Sequence, residues 1–530
     1  MRIKMRALAG LVAVIAAALV LAAQAAGGTV FGVADDHPRF EADGGAKFFS
    51  GLEDVGLKED RISLLWDDFH PDAIPDRAGL ERMLAQATAH HVDIVFALYP
   101  IRARALTERP TAMVEFAAWS ANIARTFPQV RRLVVGNEFN QPRFMQPQFR
   151  SDCSPASGAT YMALLAKTYD AVKAVDPGIR IVTSISPRGN DNCKASNNIS
   201  RSPYRFIHDM GVAYRAMGRQ TAAWDEWGIH AYPNEPTDPL MKGFPWPNMS
   251  YANLDRLKQA LWDAFSYTPQ PTFGSAPRFG QSANALTPTS ITIGETGWQT
   301  AIPPSARDAY FGKENVKVTG EATQAQIYGQ LVRSAGCDPD LRSVLIFGLI
   351  DEPNLDRFQS GLVRANGTHK PSYAAVKQAL AQTGGGCGAG RQKLWEPTAT
   401  VVGAKVDFSK VKKQWWKQTW WGFAVGAQEE ATYKAGLFRL PGRSLTGKRR
   451  AAIVRGLTGV STRKPVLQRS GLVRAYWSPL IRFPTKRMRA GFYAYGVRLT
   501  ATMNPNRAVV FTSRAFKVTP KRTRKHRAHH

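Results

Sequence analysis

Short apolar runs alternate with amphipathic stretches along the first three quarters of the chain. Apolar runs of this kind are typical of strands buried on both faces, and the intervening stretches repeat apolar residues at helical spacing. The predicted strands are Thr29–Ala34, Asp60–Trp66, Val92–Leu98, Leu133–Val135, Ile179–Ser186, Trp224–Tyr232, Ile291–Gly294 and Arg342–Ile350. The predicted helices are Lys47–Leu57, Asp76–His91, Pro110–Phe127, Tyr161–Val175, Ser202–Met217, Thr323–Ala335 and Pro371–Gln382.

Eight strands alternating with helices predict an α/β fold, a (β/α)8 TIM barrel that spans residues 27–384. In this fold the active site lies at the carboxyl ends of the strands, among the loops that follow them. The longest connections, residues 233–250 and 268–290, are predicted to lie on that face and to form a lid or a cleft wall.

The pattern changes after the glycine-rich run Gly384–Gly390. We predict a linker over residues 385–400 and a small, Ig-like β-sandwich over residues 401–519. Its predicted strand segments are Ala451–Val454, Leu472–Trp477, Gly491–Thr502 and Arg507–Val518. Four tryptophans near its start are read as a carbohydrate platform or as core packing: Trp415, Trp416, Trp420 and Trp421.

Charge divides the chain in the same place. From Arg391 onward, 31 Lys and Arg stand against 4 Asp and Glu, whereas residues 1–390 hold 39 and 37. A basic domain of this kind favours binding of a polyanion, such as an anionic cell-wall polymer, through nonspecific charge. The tail, residues 520–530, is predicted to be basic and disordered. We find no motif for specific nucleic-acid binding.

The first residues have the pattern of a targeting segment. A basic start precedes a continuous apolar run, Ala7–Ala23, and a small-residue cleavage site. We predict a cleaved signal peptide over residues 1–26, with a retained membrane anchor as the alternative. Cleavage would give a secreted or cell-surface protein with no stable membrane span.

Four cysteines are widely spaced: Cys153, Cys193, Cys337 and Cys387. Their spacing does not fit a zinc ribbon or a redox pair, so disulfides are expected in an exported protein. Three connectivities are possible. We favour Cys153–Cys193 and Cys337–Cys387, because each bridge would brace a long loop or the closing end of the barrel.

Two glutamates follow predicted strands in matching contexts. Glu138 follows an apolar run, Gly136 and Asn137, and Glu295 follows a β-branched strand and Gly294. Two carboxylates at one mouth suggest an acid/base and a nucleophile, as in retaining glycoside hydrolysis. Alone, either glutamate could be a charged loop residue.

Other candidates allow two interpretations. The cluster Asp35–His37 is read as polar loop residues in preference to a metal site, and no metal or cofactor is expected. Trp66 could stack on a sugar ring or belong to the core. Asp351 and Glu352 are the rival carboxylates, interpreted as a subsite or a structural feature.

Taken together, Gly136-Asn137-Glu138, Gly294-Glu295-Thr296-Gly297-Trp298 and His230-x-Tyr232 resemble clan A glycoside hydrolases, the 4/7 superfamily of retaining enzymes. The closing run Gly361–Tyr373 is similar as well, and the resemblance covers about residues 29–382. It departs at Phe139, at Tyr99 and at Phe347, where the superfamily often has proline, histidine and tryptophan.

The resemblance implies roles for individual residues. Glu138 would be the acid/base and Glu295 the nucleophile, while Asn137 would bind the sugar 2-hydroxyl. Arg61 would keep Glu295 ionised. The remaining expected substrate-binding residues are His230, Tyr232, Trp66, Tyr99 and Trp298.

The sequence therefore predicts a secreted retaining β-glycosidase that hydrolyses O-glycosidic bonds of a poly- or oligosaccharide. The alternative is a catalytically inactive barrel that binds glycans or cell walls, because a fold does not fix a function. A serine hydrolase, an H-E-x-x-H metalloprotease and a P-loop enzyme are disfavoured, because their motifs are not found.

Overall fold

The computed structural model describes residues 28–274, 289–388, 395–408, 420–458, 464–484 and 489–518. The chain forms two compact units, and the boundary between them in the sequence lies between Glu396 and Pro397, inside the predicted linker. The predicted signal peptide, the basic tail, Trp415 and Trp416 lie outside the described residues, as do the side chains of Trp420 and Trp421.

The first unit is a closed barrel of eight parallel strands in sequential order, in which β1 pairs with both β2 and β8. The strands are β1 (Val30–Ala34), β2 (Glu59–Trp66), β3 (Asp93–Pro100), β4 (Arg132–Val135), β5 (Arg180–Val182), β6 (Glu226–His230), β7 (Ser290–Thr296) and β8 (Leu341–Phe347). The predicted TIM barrel is thus confirmed.

Helices connect the strands and form the outer layer. They are α1 (Ala46–Val55), α2 (Arg77–Ala89), α3 (Ala112–Thr126), α4 (Ser157–Val175), α5 (Pro203–Ala216), α6 (Leu254–Phe265), α7 (Glu321–Ala335) and α8 (Pro371–Thr383). Short helical turns lie at His37–Phe40, Ala105–Glu108, Tyr251–Asn253 and Pro304–Ala309. None of the described helices is long and apolar enough to cross a membrane.

Helix α6 was not predicted, although its sequence carries the signal. Leu254, Leu257 and Leu261 recur at helical spacing and are buried. The helix lies between the two long connections, residues 233–250 and 268–290, where no helix was expected.

The barrel interior is apolar at mid-height and charged at its amino-terminal end. Arg132, at the start of β4, donates to Glu59 and to Glu226 at 2.7 Å each. Burial alone would raise the pKa of Glu226, but the charges of Arg132, Arg180 and Arg342 lower it to about 2. The buried glutamates are therefore paired with arginines at the amino-terminal end of the barrel.

Two disulfides brace this unit, and they are the two that we favoured. Cys153–Cys193 joins the loop after β4 to the loop after β5, and Cys337–Cys387 joins the ends of α7 and α8.

The second unit is the predicted β-sandwich. One sheet has the order β13-β10-β9; the other has the order β12-β11-β14-β15, and β16 also pairs with β14. The strands are β9 (Lys405–Asp407), β10 (Trp420–Gly426), β11 (Ala431–Leu440), β12 (Leu467–Val473), β13 (Leu480–Pro484), β14 (Gly491–Ala501), β15 (Ala508–Thr512) and β16 (Phe516–Val518). Apolar residues of both sheets, among them Phe423, Leu437 and Val497, fill the space between the sheets.

The sandwich also contains a helix, α9 (Gly447–Thr458), in place of the strand predicted at Ala451–Val454. That prediction was wrong. Ile453 and Leu457, four residues apart, bury one helical face against Phe438 and Ala494. A four-residue apolar run is too short to distinguish the two periods.

Candidate active site

Polar side chains from four strands meet at the carboxyl-terminal end of the barrel. Arg61 comes from β2, Asn137 and Glu138 follow β4, His230 ends β6, and Glu295 lies in β7. Tyr232, two residues beyond β6, completes the group, whose members the hydrogen bonds below connect.

The turn after β4 sets the position of Glu138. Gly136 has φ +88°, and a Cβ there would lie 3.0 Å from the ring of Phe139. Glu138 itself has φ +44°, a left-handed conformation that is uncommon for a residue with a side chain. The surrounding structure therefore holds the glutamate in a costly conformation, as is frequent at functional sites.

Glu295 is held by two donors. Arg61 Nη1 donates to Glu295 Oε1 at 2.8 Å, and Tyr232 OH donates to Glu295 Oε2 at 2.9 Å. The other arm of the guanidinium, Nη2, donates to Asn137 Oδ1 at 2.7 Å. One buried arginine therefore fixes both the carboxylate of β7 and the amide beside Glu138.

Glu138 lies in a different environment. Burial raises its pKa to about 7, against the opposing charges of Arg61, Arg188 and Arg143. At neutral pH a substantial fraction of Glu138 is therefore protonated, as a general acid must be.

His230 lies between the two glutamates. Its Nδ1 is 3.1 Å from Glu138 Oε1 and 3.3 Å from Glu295 Oε2, while its Nε2 is 3.1 Å from Ser184 Oγ. Burial lowers the pKa of His230 to about 4, so the ring is neutral at neutral pH. A proton on Nδ1, with Ser184 donating to Nε2, satisfies all of these contacts.

The His230 contacts also set an upper limit on the distance between the two carboxylates. Because both distances share Nδ1, the two glutamate oxygens are at most 6.4 Å apart. Gly294 keeps this arrangement compact, since a Cβ there would lie 3.3 Å from the imidazole ring.

An open cleft of about 580 Å³ leads away from Glu138. Its walls include Arg143, Arg188, Tyr232, Glu235 and Phe358. The site is therefore open to solvent on the side of the loops after β4, β5 and β6.

Two predicted sugar-binding tryptophans do not reach this space. Trp66 is buried and donates from Nε1 to Pro71 O at 3.1 Å, packing edge-on against Phe116. Trp298 is buried and donates from Nε1 to Asp238 O at 2.7 Å. A side chain without exposed surface cannot stack on a sugar, so both assignments were wrong. Trp66 belongs to the core, which was the alternative interpretation of this residue.

Tyr99 is half-buried beside the site. Its ring packs edge-on against Phe144 with 6.0 Å between ring centroids, and burial raises its pKa. It lies at the mouth of the barrel, next to the apolar interior layer formed by Val95 and Val134.

Asp351, one of the two rival carboxylates, and Asp35, from the cluster read as polar loop residues, both have structural partners. Asp351 is fully buried against Lys370 Nζ at 2.8 Å and accepts from Tyr310 OH at 2.8 Å. Asp35 accepts from His37 Nδ1 and from the backbone of Leu349. Among the residues that the structure describes, no His, Cys, Asp and Glu group is arranged to hold a metal ion.

Three residues near the site were not predicted to belong to it: Ser184, Arg143 and Arg188. Ser184 lies inside the predicted strand Ile179–Ser186 and was given no role, yet it connects His230 to the backbone of Glu138. Arg143 and Arg188 lie in loops, where no periodicity marks them. Their positions shortly after β4 and β5 were the available signal.

Comparison with known proteins gives likeness only in structure. No family model matches the chain, and no curated protein matches it. A family 39 glycoside hydrolase from Bacteroides cellulosilyticus WH2 is 15% identical with a TM-score of 0.43, over 78% of this chain and 73% of that one.

Two further solved structures show the same degree of likeness. A monomeric beta-xylosidase from Caulobacter crescentus CB15 is 13% identical with a TM-score of 0.41, over 87% of this chain and 95% of that one. An endo-beta-1,4-mannanase from Thermotoga petrophila is 10% identical with a TM-score of 0.40, over 93% of this chain and 98% of that one. These likenesses are too distant to assign an activity.

Proposed function

We propose that the barrel is a retaining glycoside hydrolase of the clan A type, which cleaves β-linked sugars in a poly- or oligosaccharide. The observation that carries the proposal is the contrast between the two glutamates around His230. Glu295 is fixed by Arg61 and Tyr232, whereas burial raises the pKa of Glu138 to about 7. One carboxylate is thus suited to be the nucleophile and the other the acid.

In the first step Glu295 attacks the anomeric carbon, and the bond from this carbon to the glycosidic oxygen breaks. Glu138 gives its proton to that oxygen, so the leaving sugar departs neutral. The product is a covalent glycosyl-enzyme ester on Glu295.

In the second step Glu138, now a carboxylate, takes a proton from water as the water attacks the anomeric carbon. The ester bond to Glu295 breaks, and both glutamates return to their starting protonation states. Arg61 stabilises the Glu295 carboxylate as it leaves, and Asn137, whose Oδ1 accepts from the same guanidinium, would bind a sugar hydroxyl through its amide NH2.

The separation of the carboxylates supports retention. Retaining enzymes hold them about 5–5.5 Å apart, whereas inverting enzymes leave about 6.5–9.5 Å for a water molecule. The contacts with His230 place Glu138 Oε1 and Glu295 Oε2 within 6.4 Å of each other, which favours the shorter separation.

Export of the protein is part of the proposal. The two disulfides suit an oxidising compartment. The second domain would then serve as an accessory that holds the protein on an anionic polymer. Lys448, Arg450 and Arg455 are exposed on α9 and support this role. Sedimentation with anionic wall polymer at rising salt tests it, and binding that survives high salt would contradict a charge-based mechanism.

The catalytic proposal is tested with a panel of aryl β-glycosides and oligosaccharides, with product stereochemistry followed by NMR. We expect hydrolysis with the β-anomer formed first, and loss of hydrolysis in Glu295→Ala. Glu235→Ala is the matched control, because Glu235 lines the cleft without contacting either catalytic carboxylate. Glycan binding without hydrolysis by the wild-type protein would favour the inactive, binding barrel instead.

A further inference from the structure

Two arginines stand over the open cleft without a carboxylate partner. Arg143 follows β4 and Arg188 follows β5, and both side chains are exposed at the cleft wall. Among the described residues, neither guanidinium has a carboxylate within 4.0 Å, whereas many other arginines of the barrel are paired. Arg143 packs instead over the ring of Phe144, 5.8 Å from its centroid.

The acidic residues of the same cleft do not neutralise this charge. Burial raises the pKa of Glu138 to about 7, so this side chain carries less than a full negative charge at neutral pH. Glu235 is engaged by Lys317, with 3.4 Å between Nζ and Oε2. The cleft next to Glu138 therefore presents a net positive surface to whatever enters it.

The loops that carry these arginines are held in fixed positions. Cys153–Cys193 links the loop of Arg143 to the loop of Arg188. The Ser186 hydroxyl donates to the carbonyl of Arg188 at 2.8 Å, and the side-chain amide of Gln141 donates to the same carbonyl. Two guanidinium groups on braced loops can bind an anion with less loss of conformational freedom than two on mobile loops.

The location of the arginines identifies the part of the substrate that they would meet. Arg61, Asn137 and Glu295 surround the position of the sugar that is attacked, inside the barrel mouth. Glu138 protonates the glycosidic oxygen, and the cleft that contains Arg143 and Arg188 extends outward from Glu138. The lining of the cleft includes Glu138 but not Arg61, Asn137 or Glu295, which favours the leaving-group side of the scissile bond for a group bound there.

We propose that Arg143 and Arg188 bind an anionic group of the glycan on the leaving-group side, so that the substrate class is an acidic glycan. This inference rests on the proposed glycosidase function and adds the charge of its substrate. The shared chemistry is a carboxylate, sulfate or phosphate group, each of which pairs well with guanidinium.

Binding of such an anion also has a consequence for the acid. The charges of Arg143 and Arg188 oppose the rise in the pKa of Glu138, together with Arg61. The other ionisable groups that face this site are neutral His230, Tyr232 and the Glu295 carboxylate, together with Glu235 and Lys317 of the cleft wall. An anion on the two arginines offsets their charge and favours the protonated form of Glu138, which is the form that cleaves.

The test uses the full chain and short oligosaccharides in matched pairs. Each pair shares a backbone and differs in one group on the leaving-group side: hydroxymethyl against carboxylate, sulfate or phosphate. Binding is measured on Arg143→Gln/Arg188→Gln and on a control, Arg104→Gln/Arg150→Gln, which removes two exposed arginines outside the cleft. The basic second domain is identical in both proteins, so its affinity for anions cancels.

We expect at least one anionic series to bind about tenfold more tightly than its neutral partner, a size typical of two exposed ion pairs. The double cleft variant should lose this preference, and the control should keep it. The series with the largest preference distinguishes carboxylate from sulfate and phosphate. Equal binding of neutral and anionic partners, or equal loss in the cleft variant and the control, would overturn the inference.

Hydrolysis of the same panel separates this inference from the catalytic proposal. Selective, arginine-dependent binding without any hydrolysis would refute the glycosidase and leave the anion site standing. Hydrolysis of neutral and anionic partners at equal kcat/KM, unchanged in Arg143→Gln/Arg188→Gln, would leave the glycosidase standing and refute the anion site.

Discussion

Glu138→Gln is the substitution whose effects follow most fully from the structure. Burial raises the pKa of Glu138 from an ordinary 4.5 to about 7. This difference corresponds to about 3 kcal/mol between the two protonation states. The wild-type kcat/KM should therefore fall as the pH rises through about 7, because the free enzyme then loses the proton that the leaving group needs.

The amide side chain that Glu138→Gln introduces cannot donate this proton, so the loss of activity depends on the leaving group. On an unactivated glycoside we expect kcat/KM to fall about 10²–10⁴-fold, with no alkaline limb near pH 7. On a dinitrophenyl glycoside, whose leaving group needs no proton, formation of the glycosyl-enzyme should be nearly unaffected. The assay is a pH–rate profile on both substrates, with Glu235→Gln as the control.

The same shift predicts a change in stability. Below about pH 4 Glu138 is protonated in both the folded and the unfolded chain. Its ionisation therefore does not change the free energy of unfolding in this range. Above about pH 7 the folded chain must hold a buried carboxylate, which costs up to about 3 kcal/mol. Urea denaturation should therefore show Glu138→Gln gaining stability over the wild type as the pH rises.

Either of two results would refute this reasoning. One is an alkaline limb near pH 7 that persists in Glu138→Gln on the unactivated substrate. The other is a stability difference that grows toward acid pH, since a raised pKa can act only in the opposite direction.

Three further predictions concern other parts of the barrel. Arg61→Lys should lower kcat/KM about 10–100-fold with an unchanged circular dichroism spectrum, because one ammonium cannot reproduce both charge-assisted hydrogen bonds of the guanidinium; unchanged kinetics would contradict its role. Arg132→Leu should lower the free energy of unfolding by about 3–5 kcal/mol, because it removes the arginine that pairs with buried Glu59 and one of the three arginines beside buried Glu226, as measured by denaturation near pH 7; a neutral effect would show that the charges are screened. Replacing both Cys337 and Cys387 with serine should lower the free energy of unfolding by up to about 4 kcal/mol, because the unfolded chain is then no longer cross-linked across a sequence separation of 50 residues. A Tm equal to that of the wild type would argue against this.

The barrel could be predicted from the sequence because parallel strands that are buried on both faces have continuous apolar sequences. The glutamates could be predicted because each follows such a run and a glycine. Helix α6 was missed although Leu254, Leu257 and Leu261 carry its period. The strand predicted within α9 failed because its apolar run was shorter than either period requires.

The error at Trp66 has a physical cause that the sequence itself contains. Side chains alternate across a strand, so Arg61 and Trp66, five positions apart in β2, must face opposite sides. Arg61 points into the barrel mouth, and Trp66 therefore packs outward against α3. The alternation rule alone is enough to exclude Trp66 from the candidate active site once Arg61 is assigned to it.

Arg143 and Arg188 could not be predicted in the same way. They belong to loops whose path depends on a disulfide and on hydrogen bonds between distant residues. Nothing in the local sequence indicates that two arginines 45 positions apart share one cleft.

The central claim, that Glu295 is the nucleophile of a retaining glycosidase, is tested most directly by trapping its ester. The measurement is the intact mass after incubation with 2-deoxy-2-fluoro glycosides of several sugars, followed by peptide mapping. We predict a gain of one fluorosugar that maps to Glu295 and is abolished in Glu295→Ala. A label on a different residue, or hydrolysis of the panel without any trapped ester, would contradict the assignment.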